Sequence, residues 1–109
     1  MAVAKVIYLS EETLRLCKLS GSKPMGELIR DAIVELVDKG GKGVVIDYPR
    51  SIPDKKVRVS DETHYLVNRL KLELNYETQD DLVFDVMVNY LIKRGLSEDC
   101  LVNILNLRL

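Results

Sequence analysis

The segment Leu9-Ser10-Glu11-Glu12-Thr13 returns fifty positions later as Val59-Ser60-Asp61-Glu62-Thr63, each time after a short β-prone run and before a helical pattern. A helix start of this kind is common alone, but its recurrence in the same context marks an internal repeat. In each copy Ser is a preferred N-cap, whose side-chain oxygen accepts from an otherwise unpaired N–H of the first turn. The acidic residues that follow sit against the positive end of the helix dipole. The chain must therefore fold as two strand-to-helix units. With only 109 residues between them, they are expected to bury their faces on each other, on a second chain, or both.

The first copy, residues 1–40, opens with a strand from Val3 to Leu9. Alternation puts Lys5, Ile7 and Leu9 on one side and Ala4, Val6 and Tyr8 on the other. After Ser10, the positions Thr13, Leu16, Cys17 and Ser20 share a helical face, with Gly21 as a stop. Lys23-Pro24 opens a second helix, since proline is tolerated in a first turn. Leu28, Ile29, Ala32, Ile33, Leu36 and Val37 form its core stripe, which Gly40-Gly41 ends. Residues 41–54 read as a linker carrying Gly43, Pro49 and Pro53. Within it Val44-Val45-Ile46 can form a short strand or simply pack. Fully extended, such a linker reaches about 50 Å, enough to return the second strand beside the first.

The second copy, residues 55–95, alternates more cleanly: Val57 and Val59 face inward, Lys56 and Arg58 outward. Leu66, Val67, Leu70 and Leu74 keep the register of the first copy on a helix longer by about a turn and a half. Asn75-Tyr76-Glu77 makes the turn, and Thr78 with Asp81 resembles a capping box. Val83, Phe84, Met87, Val88, Leu91 and Ile92 repeat the stripe before Lys93-Arg94-Gly95. The copies thus align at an offset of fifty before the turn and fifty-five after it. Residues 96–109 have no counterpart. Ser97 caps a last helix in which Leu101, Leu105 and Leu109 belong to a nearly continuous apolar surface. That surface either packs on its own domain or joins two chains, making these leucines oligomerisation candidates.

Charge and composition exclude several functions. Sixteen basic and seventeen acidic residues give a net charge of −1, unlike a protein that coats nucleic acid nonspecifically. The positive excess is concentrated at Lys55, Lys56 and Arg58. No run approaches a membrane span and no signal-peptide pattern is present, which leads us to expect an intracellular protein without membrane contact. Cys17 and Cys100 are far apart in apolar segments and are expected to be buried thiols, and His64 is the sole histidine. There is no Gly-rich phosphate loop or placed nucleophile. We therefore expect no enzyme activity, cofactor, metal or small-molecule substrate. Asp80-Asp81 is read as a dipole-stabilised first turn, not as a catalytic carboxylate pair.

A strand, a Ser-capped helix, a turn and a second striped helix together resemble the ribbon-helix-helix family of DNA-binding proteins. The likeness is carried by Lys5 to Thr13 with Glu27-Leu28-Ile29-Arg30-Asp31-Ala32-Ile33, and by Lys56 to Thr63 with Leu82 to Ile92. Two copies in tandem resemble, more narrowly, the tandem ribbon-helix-helix transcription regulators of filamentous viruses that infect hyperthermophilic archaea. For such a virus the expected location is the host cytoplasm.

The resemblance implies a mainly α fold with short strands: an antiparallel β-ribbon over a four-helix core, plus a C-terminal helix. It implies that the ribbon enters the major groove of double-stranded DNA. Carried over residue by residue, the base-reading positions are Lys56 and Arg58 in the second copy and Val6 and Tyr8 in the first. Arg58 is the strongest candidate, since its guanidinium fork matches guanine O6 and N7. The alternatives are a solvated edge-strand face for the basic pair and a second packing face for Val6 and Tyr8. The family's phosphate anchors, backbone N–H groups at the start of the second helix, fall on Ser22 and Lys23, and on Thr78, where Asp80 and Asp81 oppose an anion. Pairing of the two copies within one chain is the favoured arrangement and implies an asymmetric recognition element; pairing between chains is the other. The functional expectation is a sequence-specific transcription regulator that forms a homo-oligomer. The alternative is an antitoxin-like adaptor that captures a protein through its C-terminal apolar helix.

Overall fold

A computed structural model describes residues 5–20, 23–40 and 43–107. The order is β1 (Lys5–Leu9), α1 (Glu11–Leu19), α2 (Met25–Asp38), β2 (Lys55–Val59), α3 (Asp61–Glu73), α4 (Gln79–Lys93) and α5 (Glu98–Asn106). The two strands pair antiparallel within the chain, with Val6 opposite Arg58, Ile7 opposite Val57 and Tyr8 opposite Lys56. The described residues are thus mainly helical with a two-stranded sheet.

Local chemistry sets the helix starts. Ser10 and Ser60 each accept from the N–H of the Thr three residues on, at 3.3 and 3.1 Å. Thr78 accepts from the Asp81 N–H and Ser97 from that of Cys100. Only α2 begins without a side-chain cap, at Pro24. At the other end, Gly40 and Gly95 take positive φ after α2 and α4, as left-handed helix stops require. Asn75 does the same after α3. Gly21, Gly41 and the strand positions Val3 and Ala4 lie outside the described residues.

The core is built around α4, which buries Leu82, Val83, Phe84, Val86, Met87, Val88, Tyr90 and Leu91. It packs against α2, α1, α3 and β1. From the first copy come Leu16, Cys17, Leu28, Ile29, Ala32, Ile33 and Leu36, and from the strands Ile7, Leu9, Val57 and Val59.

Several expectations need correction. Val37 does not complete the α2 stripe; it is 48% exposed, because a stripe of that width overruns the face that α4 covers. Helix α3 exceeds α1 by four residues, about one turn. Cys100 is half-buried, unlike Cys17. Val44-Val45-Ile46 forms no strand. Instead the Asn89 side chain brackets Val44, accepting from its N–H at 2.7 Å and donating to its carbonyl at 2.9 Å. One side-chain amide thereby satisfies the backbone that a strand neighbour would have paired.

The terminal helix packs on its own chain. Leu101 is fully buried and Leu105 nearly so, with Arg15 donating to the Leu105 carbonyl at 2.8 Å. Their burial removes both from a chain-to-chain surface. Leu109 lies outside the described residues. Among the described residues no helix is long and apolar enough to cross a membrane.

Candidate nucleic-acid interface

Alternation along the two strands sorts their side chains. Ile7, Leu9, Val57 and Val59 point into the core, while Tyr8, Lys56 and Arg58 are exposed and Val6 is half-buried on the opposite face. The register makes Val6 and Arg58 one cross-strand pair and Tyr8 and Lys56 the next. All four residues suggested for base reading are therefore brought together on one outward face. Among the described residues, no side-chain hydrogen bond or ion pair engages Lys56 or Arg58. The strands carry four cations, Lys5, Lys55, Lys56 and Arg58, and no acid. In a chain of net charge −1 this concentrates positive potential on the ribbon.

The ends of the helices support the ribbon from both sides. The start of α2 lies against the end of β2: a Cβ on Gly26 would come within 3.3 Å of the Arg58 carbonyl oxygen and of the Val59 Cα. Glycine lets the helix approach that closely. Thr63 also donates to the Gly26 carbonyl, and Arg30 pairs with Glu62 across the same junction. The start of α4 holds β1 by a different chemistry. Gln79 Oε1 accepts from the Tyr8 N–H at 3.2 Å, and Asp80 Oδ1 accepts from the Ser10 N–H at 2.8 Å and the Ser10 hydroxyl at 3.0 Å.

Asp80 is almost fully buried, and the linker provides its counter-charge. Arg50 donates through Nε to Asp80 at 3.0 Å and through Nη2 to Asp81, and its guanidinium lies over the Phe84 ring. Next to it, Ser51 donates to the buried Glu12 from both N–H and hydroxyl. The sequence reading assigned Asp80 to the dipole and Asp81 to the dipole and a capping box, and missed Arg50 and Gln79. The available signal was a lone cation, Arg50, in residues 43–54 and an acidic pair awaiting a partner.

Of the phosphate-anchoring candidates, the structure describes Lys23 and Thr78. Ser22 lies outside the described residues. Lys23 Nζ is held by Asp31 at 2.6 Å, a hydrogen bond that raises the lysine pKa and lowers that of the aspartate. The Thr78 hydroxyl is occupied as the α4 cap.

Three other titrating groups, Cys17, Asp85 and Tyr76, also shift. Burial pushes the Cys17 thiol up to about 12. Asp85, half-buried and accepting from the Tyr76 hydroxyl at 2.7 Å, is raised by burial despite that bond. The Tyr76 phenol is raised by burial and by the same aspartate.

Comparisons with protein-family models, with curated proteins and with solved structures found no match. The geometry alone must carry the functional reading.

Proposed function

We propose that this chain is a sequence-specific double-stranded DNA-binding transcription regulator of the ribbon-helix-helix type, with two tandem motifs closing one ribbon. One observation carries the reading: Val6, Tyr8, Lys56 and Arg58 form two cross-strand pairs on the outward face of an antiparallel ribbon with a buried back. A two-stranded ribbon fits the major groove, where each base pair presents a distinct pattern of donors and acceptors. Arg58 addresses guanine through two donors; Lys56 contacts guanine or phosphate as a point charge. Among the described residues neither has an internal partner, which suits their donors to DNA. Of the apolar end on which the adaptor alternative rests, Leu101 and Leu105 are buried in the chain's own core and Leu107 is exposed.

Selection of bound duplexes from a random pool, followed by titration of the winner, tests the proposal. An enriched motif is expected. Binding by the Lys56→Ala, Arg58→Ala double variant is expected to weaken at least about thirtyfold, given ~1–3 kcal/mol for each good base contact. Retained affinity in that variant, with no dependence on salt, overturns the reading.

A further inference from the structure

Ile7 and Val57 are equivalent at the repeat offset of fifty, and they pair with each other. A local two-fold axis therefore passes between them. About that axis Val6 corresponds to Lys56 and Tyr8 to Arg58. Equivalent backbone positions thus carry unlike chemistry, with both cations of the outward pairs on β2 and both uncharged side chains on β1. At the flanks the cations are already engaged on both sides, Arg50 by Asp80 and Asp81 beside β1, and Lys23 by Asp31 and Arg30 by Glu62 beside β2, so the division rests on the strands themselves.

Resting on the DNA-binding reading above, we infer that the chain recognises a strand-polarised element: purines, with guanine foremost, on the DNA strand facing β2, and thymines on the strand facing β1. A ribbon lying along the groove sets its two strands ~4.8 Å apart, so each leans toward a different edge of a groove ~12 Å wide. Arg58 and Lys56 are two residues apart on β2, ~6.6 Å, close to two base-pair steps of ~3.4 Å each. Both cations therefore address bases of the same DNA strand, where guanine offers N7 and O6 as acceptors. Val6 offers no donor and Tyr8 only its phenol O–H, and their apolar surface suits the C5-methyl of thymine. The two preferences share one polarity but fall on different base pairs: a guanine facing β2 pairs with cytosine, so a thymine facing β1 marks a neighbouring step, where its adenine partner extends the purine strand. Such an element has no internal palindrome, so one chain binds it in one orientation.

Three proteins passed through the same random-duplex selection decide this: wild type, Val6→Lys with Tyr8→Arg, and Lys56→Val with Arg58→Tyr. All four positions lie on the outward face, and a thermal melt of each variant checks its fold. Wild type is expected to enrich a motif with purines on one strand. Exchanging a contacted G·C pair for C·G in that motif should weaken binding at least about tenfold. Val6→Lys with Tyr8→Arg makes the two strands alike and should turn the motif into a palindrome with guanine on both DNA strands. Lys56→Val with Arg58→Tyr should lose the guanine preference. A palindromic wild-type motif within one ribbon footprint overturns the polarity and leaves DNA binding standing. Wild-type protein that shifts no duplex at low salt overturns the DNA-binding reading itself, and the polarity with it. Should the basic variant fail to fold, the wild-type motif and the apolar variant decide between these outcomes.

Discussion

Asp80 shows how much one buried carboxylate can hold. It accepts two hydrogen bonds from Ser10 and one from Arg50, joining the β1–α1 junction, the linker and α4. Removing one partner of a buried, hydrogen-bonded ion pair strands the other partner's charge. Asp80→Ala is therefore expected to cost about 3 kcal/mol of stability in urea unfolding. Asp85 behaves in the opposite sense. Its raised pKa means that the folded state keeps this proton to higher pH than the unfolded chain does. The stabilisation is fully present below the ordinary aspartate range and is lost as pH rises through the raised value. Asp85→Asn, which keeps an acceptor for Tyr76, should flatten that part of the stability curve, above the ordinary aspartate range. Near neutrality it should be at least as stable as wild type. The two cysteines separate by the same logic of burial. With its thiol pushed up to about 12, Cys17 should resist alkylation in the native protein. Half-buried Cys100 is the thiol expected to react, and mass spectrometry before and after unfolding would tell them apart.

Elements that carry their own signal could be read directly. The duplicated Ser caps fixed the starts of α1 and α3, strand alternation fixed the inward valines, and the apolar stripe of the second copy anticipated the buried face of α4. What escaped were interactions between residues far apart in sequence. Arg50 reaches Asp80 across thirty positions, and Asn89 reaches Val44 across forty-five. No local period reports such pairs. The outer edge of a stripe is equally silent, which is why Val37 was misplaced. Helix α5 falls between these cases: its cap and apolar positions were legible, but not the surface it would cover. Because Leu101 is fully buried in its own chain, Leu101→Ala should cost about 3 kcal/mol. It should leave the oligomeric state of the folded protein unchanged, as sedimentation can check.

At the scale of the whole molecule, closure of the ribbon within one chain has a thermodynamic signature. An obligate dimer unfolds at a midpoint that depends on protomer concentration. Here β1 and β2 belong to one chain and share one core. The urea midpoint is therefore expected to stay constant over a hundredfold dilution. On the proposed reading, DNA affinity should weaken with salt, yet gently. If all four ribbon cations neutralised phosphates, the log–log slope would be about −3.6, at ~0.9 per phosphate. A markedly steeper slope would mean that cations beyond the ribbon take part.

The register of that ribbon also bears on how its preference can change with time. In a symmetric dimer every substitution on the reading face is made twice, so each must suit both halves of the target together. Here Val6, Tyr8, Lys56 and Arg58 are four separately encoded positions on one surface. If the ribbon reads DNA as proposed, a mutation at one alters a single contact while the other three keep the protein seated. Two copies in one chain then turn one jointly constrained choice into four that can drift independently, letting new targets be reached by single steps.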